Sequence, residues 1–233
     1  MKGIVTVFVD IDDTLWWFTE NSKLALRHTF DAFDISSVCT YERFKEVYLK
    51  KNLELWNLYH HGLIDKDFLV NERFRFTLKE CGYKGDVEKM CHLLDEEYLR
   101  FLALQSTTIP GARQLLEYLV AKGYDVNTLS NGFQGTQQQK LISGGLSDLI
   151  HRNVLSDDCG ITKPQRGIFD YALEQCGAEA ATSVMIGDNP DADIKGAHDA
   201  GWRTIYFNIR GLDPIEGTAD AVVTSLDEIQ QIL

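Results

Sequence analysis

The sequence predicts an α/β protein: a doubly wound parallel sheet interrupted, directly after its first strand, by an inserted α-helical bundle. Three observations carry this reading. Residues Ile4 to Val9 form a short β-branched run of the kind a central strand buried on both faces requires. From about Asn21 to Gln105 the apolar residues recur at helical spacing, broken by glycines and short polar turns. Beyond that stretch, strand and helix patterns alternate regularly, which calls for right-handed βαβ units and a parallel sheet.

The elements follow in order. The first strand ends abruptly at Asp10, Asp12 and Asp13, with Thr14 next. A first helix is expected from Ser22 to about Phe33, capped by Asn21 or Ser22, and a second from just after Thr40 to near Gly62. Asp65 can cap a third that stops at Cys81-Gly82, and Asp86 a fourth through Leu102. Four helices joined by short turns suggest a small bundle. Ile109-Pro110-Gly111 opens a helix to about Lys122, and Asp125 to Leu129 reads as a strand ending at Ser130-Asn131-Gly132. A helix over Gln134–Ile142, a short strand near Asn153–Leu155 and a helix over Gln165–Cys176 follow. Ser183–Ile186 is a strand running into Gly187-Asp188, Asp191–Ala200 a helix, and Arg203–Phe207 and Ala221–Val223 the last strands. The expected division is a sheet domain of residues 1–15 and 107–233, Rossmann-like in its winding, with residues 16–106 as an inserted helical unit.

Composition narrows the function classes. Hydrophobic content of 44% and charged content of 25% over 233 residues are ordinary for a globular protein. A formal net charge of −12 argues against a nucleic-acid polymer as partner. Five scattered cysteines, none spaced C-x-x-C, favour reduced thiols and a cytoplasmic location over a disulfide framework or a zinc site. The N-terminal apolar run is too short for a signal peptide or a membrane span. No P-loop or dinucleotide-binding glycine pattern occurs.

Polar residues recur where strands end. Asp10 and Asp12 follow the first strand, Ser130 and Asn131 the second, and Asp188 a later one, while Lys163 precedes a helix. In a parallel sheet these ends share one edge and can converge. Three carboxylates within four residues repel one another unless a cation or a phosphate-handling site uses them; otherwise they form an acidic turn. A site for phosphomonoester hydrolysis needs a nucleophile, an acid and positive charge around the phosphoryl oxygens, and the sequence offers all three.

The segments Asp10–Thr14 (D-I-D-D-T), Leu129–Gly132 (L-S-N-G), Thr162–Pro164 (T-K-P) and Gly187–Asp193 (G-D-N-P-D-A-D) together resemble the four motifs of the haloacid dehalogenase-like superfamily, in order. The insert after the first motif resembles that superfamily's C1 helical cap. The resemblance implies that Asp10 is the nucleophile and forms an aspartyl-phosphate, with Asp12 the general acid and then base. It implies Mg²⁺ held by the carboxylates of Asp10 and Asp188 and the backbone carbonyl of Asp12, an all-oxygen set suited to a hard ion. Ser130 and the Asn131 backbone would bind phosphoryl oxygens, Lys163 would neutralise charge, Asp193 would orient Lys163 or a metal-bound water, and Thr14 would brace the loop. Asp13 reads as a tight-turn residue.

Ser130–Gln138 (S-N-G-F-x-x-x-Q-Q), Lys163–Gln175 and Leu55–Gly62 (L-W-x-x-Y-x-x-G) are further similar to the YjjG-like pyrimidine 5′-nucleotidases. The expected partner is therefore a small phosphorylated metabolite, a nucleoside 5′-monophosphate first, with a sugar phosphate or phosphoglycolate as the alternative. A metal-independent 2-haloacid dehalogenase is disfavoured by Asp12, and a receiver-type phospho-accepting module by the insert after Leu15. Trp16 and Phe18 beyond the catalytic loop, and Trp56 and Tyr59 on the second cap helix, are candidates for stacking on a base; aromatic residues at this spacing equally serve packing.

Overall fold

The computed structural model describes residues 1–233. They form two compact units, Met1–Phe18 with Ser106–Leu233, and Thr19–Gln105.

The first unit is built on a six-stranded, all-parallel sheet in the order β3-β2-β1-β4-β5-β6. The strands are β1 (Thr6–Val9), β2 (Asp125–Ser130), β3 (Arg152–Leu155), β4 (Ser183–Gly187), β5 (Arg203–Phe207) and β6 (Ala221–Val223). The α/β class and the parallel sheet are as the sequence predicts. β1 is wholly buried between β2 and β4, which explains its unbroken apolar run. Phe8, Leu129, Val154 and Met185 from four strands pack with Ile168, Phe169 and Trp202 into one apolar cluster. The helices of this unit are α5 (Ala112–Ala121), α6 (Gln134–Ser143), the single turn α7 (Ser156–Cys159), α8 (Arg166–Cys176) and the short α9 (Gly196–Asp199), all five following those of the second unit in the chain.

The second unit holds α1 (Phe18–Ala32), α2 (Tyr41–His60), α3 (Lys66–Glu80) and α4 (Val87–Ala103). Thr40, Asp65 and Asp86 cap α2, α3 and α4 by accepting from the backbone N–H three residues on, at Arg43, Phe68 and Lys89. The buried rings of Phe44, Tyr48, Phe74 and Tyr98 pack on one another, with Tyr48 4.6 Å from Phe74 and 5.6 Å from Tyr98 between centroids. Beside them Arg73 donates to Asp95 at 2.7 Å, and both side chains are buried.

Two expected elements differ. α1 starts at Phe18, so Asn21 and Ser22 lie inside it and are buried rather than capping it. The chain enters this helix straight from a turn in which Phe18 N–H donates to the Trp16 carbonyl, so the helix starts a turn before the polar pair. The helix expected over Asp191–Ala200 is instead a wide π-type stretch, Pro190–Lys195, followed by α9. Asn189 caps it, its side chain accepting from Asp191 and Ala192 N–H at 3.0 Å each. No helix is long and apolar enough to cross a membrane.

Candidate active site

Because the strands are parallel, their carboxyl ends bring chain-distant residues to one edge of the sheet. Asp10 leaves β1, Ser130 ends β2, Asp188 follows β4, and Lys163 sits in the loop between α7 and α8. Asp10, Thr14, Ser130, Asn131, Lys163, Asp188 and Asp193 are all buried. Lys163 is the hub. Its ammonium donates to Asp10 Oδ1 at 2.6 Å, to Asp193 Oδ1 at 2.7 Å and to the Leu129 carbonyl at 2.6 Å. Asn131 fixes the lysine's backbone from both sides, accepting from Lys163 N–H at 2.7 Å and donating to its carbonyl at 2.9 Å.

Asp193 reaches this position because residue 187 is glycine: a Cβ there would lie 2.3 Å from Asp193 Oδ2. Asp193 also accepts from Asn189 N–H at 3.0 Å. The wide turn at Pro190–Lys195 thus places one carboxylate between a backbone amide and Lys163. Thr14 donates to Asp188 Oδ1 at 3.4 Å, tying the first loop to the fourth strand.

The electrostatics follow from burial. Burial pushes the Asp10 carboxyl up to about 7; Asp193 and Asp12 add to the rise and Lys163 opposes it. Burial likewise holds Asp188 well above the ordinary carboxylate range, against the pull of Arg210. Burial alone would lower the Lys163 ammonium, but Asp10 and Asp193 outweigh it and hold it above its usual value. Burial of several carboxylates together is what raises Asp10 and Asp188, and Lys163 and Arg210 offset it in part. Asp10, Asp188 and Asp193 each place a carboxylate oxygen within 4.8 Å of the others, all buried. Hard oxygens at that spacing fit a hard divalent ion. The expected metal set contained Asp10, Asp12 and Asp188; the geometry adds Asp193 to the cluster.

Asp13 has the left-handed backbone expected of a tight-turn residue, with φ 58°. Asp12 turns toward α6, where Lys140 donates to both its oxygens at 2.7 and 2.9 Å and Gln137 to Oδ2 at 3.0 Å. Trp16 is fully buried, with the Lys140 ammonium 4.8 Å from its ring centroid, so its ring offers no open face for a base; Phe18 is only partly buried. Trp56 and Tyr59 belong to the second unit, partly buried at the end of α2, with their rings edge-on at 5.7 Å.

Three participants escaped the sequence reading. Lys140 and Gln137 hold Asp12, and Arg210, just beyond β5, pairs with Asp188 at 2.6 Å and Asp13 at 3.2 Å. The available signals were the three-residue spacing of Gln137 and Lys140 on the helix after Ser130, and the position of Arg210 beyond a strand's carboxyl end.

A family model described as haloacid dehalogenase-like hydrolase matches residues 4–201. The chain is 33% identical to the pyrimidine 5′-nucleotidase YjjG of Escherichia coli, over 97% of this chain and 96% of that one. It is 30% identical to the pyrimidine 5′-nucleotidase PynA of Streptococcus pneumoniae, over 88% and 84%. Its fold is similar to the crystal structure of YfnB from Bacillus subtilis, described as bound to magnesium, with TM-score 0.88 and 31% identity over 100% of this chain and 99% of that one. With the four motif segments converging at the sheet edge, this chain belongs to the haloacid dehalogenase-like hydrolases.

Proposed function

We propose that this hydrolase is a Mg²⁺-dependent phosphomonoesterase acting through an aspartyl-phosphate, with nucleoside 5′-monophosphates as its substrate class and the cytoplasm as its location. The observation that carries the reading is the seat of Asp10. Its Oδ1 is held by Lys163 at 2.6 Å, which leaves Oδ2 outside that ion pair and available to attack. Ser130, buried at the end of β2, offers a hydroxyl donor for a phosphoryl oxygen, and the Lys163 ammonium, its three N–H groups engaged by Asp10, Asp193 and the Leu129 carbonyl, supplies positive charge beside it.

In the first step Asp10 attacks phosphorus, the phosphorus–oxygen ester bond breaks, and the leaving alkoxide takes a proton from Asp12. In the second, Asp12 accepts a proton from water, the water oxygen attacks phosphorus, and Asp10 leaves as a carboxylate with inorganic phosphate. Asp10 and Asp188, with the Asp12 backbone carbonyl, would hold Mg²⁺, and Asp193 and Thr14 support the set. When bound, the ion supplies charge that keeps Asp10 ionised and offsets the negative charge of the phosphoryl group. The named activities of YjjG and PynA support the nucleotide preference. Phe18, Trp56 and Tyr59 are only partly buried residues, and their aromatic side chains are the proposed source of preference among substrates.

The test is phosphate release from pyrimidine and purine monophosphates, sugar phosphates and phosphoglycolate, with Mg²⁺ and with EDTA. Mg²⁺-dependent release led by pyrimidine monophosphates is expected. Release led by another phosphate would keep the chemistry and overturn the substrate; no release from any ester would overturn the activity.

A further inference from the structure

We propose that Gln137 and Lys140 are positioning residues that hold the Asp12 carboxylate in its reactive orientation. This rests on the reading of Asp12 as the acid–base group. The Asp12 side chain is 30% exposed, so part of it faces solvent. What restrains it comes from α6, 125 and 128 residues away in the chain. Lys140 engages both carboxylate oxygens and Gln137 one of them. Donors on both oxygens fix the carboxylate plane, which a single hydrogen bond cannot do.

The two donors are themselves immobilised. Gln137 is fully buried and Lys140 nearly so. The Lys140 ammonium lies 4.8 Å from the Trp16 ring and 5.3 Å from that of Phe18, a cation–π seat furnished by the same loop that carries Asp12. Trp16 is locked into that loop, its N–H donating to the Ile11 carbonyl at 2.8 Å and its carbonyl accepting from Asp13 N–H at 2.8 Å. A buried lysine is costly to hold unless its charge is used. Here a methionine or leucine would fill the aromatic seat without that cost, so the charge answers to Asp12.

Gln137 does a second thing. The same amide nitrogen donates to Ser130 Oγ at 2.6 Å. One carboxamide thus spaces the acid–base group from the proposed phosphate ligand. Gly132 makes room for it, since a Cβ there would sit 2.3 Å from Gln137 Cδ. Lys163 orders Asp10 and Asp193 while Lys140 orders Asp12, so nucleophile and acid are held by separate lysines.

A group that acts through Asp12 matters in proportion to the substrate's need for an acid. The experiment compares kcat/KM for a nucleoside 5′-monophosphate, whose alkoxide needs a proton, with p-nitrophenyl phosphate, whose phenolate does not. Lys140→Met is expected to lose about 100-fold on the nucleotide and under about 10-fold on the aryl ester. Lys140→Arg should recover most of the nucleotide rate. Asp12→Asn, run in parallel, should show the same selectivity with a larger loss. Should Lys140→Met fail to fold, Lys140→Gln, which removes the charge and keeps a polar head, carries the same comparison. Equal losses on both esters from the Lys140 variant, beside a selective Asp12→Asn, would overturn the positioning role and leave the mechanism standing. Equal losses from Asp12→Asn itself would overturn the acid–base reading, and the proposal with it.

Discussion

The Lys163 ammonium lies 2.6 Å from Asp10 across 153 residues of sequence, and the same nitrogen lies 2.7 Å from Asp193. One buried cation therefore orients the proposed nucleophile and the last acid of the fourth motif together. The site is an acidic cluster with its counter-charges built into three separate loops and helices: Lys163, Lys140 and Arg210.

Asp10→Asn keeps the size of the side chain and removes its nucleophilic charge. Turnover should fall at least about 10³-fold while the circular-dichroism spectrum stays native. Appreciable residual activity would remove Asp10 as the nucleophile.

Metal binding should be readable without any substrate. Adding Mg²⁺ to EDTA-treated protein should raise the melting temperature, by about 2.7 kcal/mol of stabilisation at a hundredfold excess over Kd. Asp188→Asn, which takes one buried carboxylate out of the cluster, should remove most of that gain. Identical melts with Mg²⁺ and EDTA in the unaltered protein would mean that the cluster binds no ion.

In the second unit, Asp95→Ala leaves the Arg73 guanidinium buried without its carboxylate. Breaking a buried pair from one side costs about 3–5 kcal/mol. Urea unfolding should show the loss, and a change under 1 kcal/mol would mean that Arg73 finds another partner or water.

Glu97 is the acid-sensitive contact of the same unit. Arg100, then His28, hold its carboxyl down to about 2 from an ordinary 4.5. The folded value lies below the unfolded one, so the stabilisation is complete above about pH 4.5 and is lost as pH falls toward 2. Glu97→Gln should therefore cost about 1 kcal/mol or less at pH 7 and almost nothing near pH 2.5. Denaturant titrations at the two pH values test the sign; a gap that widened in acid would contradict it.

Trp56→Ala probes substrate choice. If the α2 aromatics read the base, the ratio of nucleotide to sugar-phosphate turnover should fall several-fold. An unchanged ratio with a lower melting temperature would assign Trp56 to packing.

Local chemistry made much of the fold legible. β1 was readable because a strand buried on both faces admits little but β-branched and aromatic residues, and α2, α3 and α4 because Thr40, Asp65 and Asp86 carry the capping oxygens their N-termini need. Where a site makes its own demand, local rules failed. The stretch after Asn189 has helical periodicity, yet it widens into a π-type turn in which Asp193 meets both Asn189 N–H and Lys163. The start of α1 is not legible locally, because Asn21 and Ser22, good caps by type, are buried within the helix.

Residue order is enough to say which groups stand at the strand ends: Asp10, Ser130 and Asp188 follow from apolar runs that stop at polar groups, and a parallel sheet must bring such ends to one edge. Which charge answers which emerges from the folded chain. Lys140 on Asp12 and Arg210 on Asp13 join residues 128 and 197 apart. Periodicity reports which face of a helix is buried, but not what a buried lysine meets there. That depends on where another loop ends, and on the cost of leaving its charge unanswered.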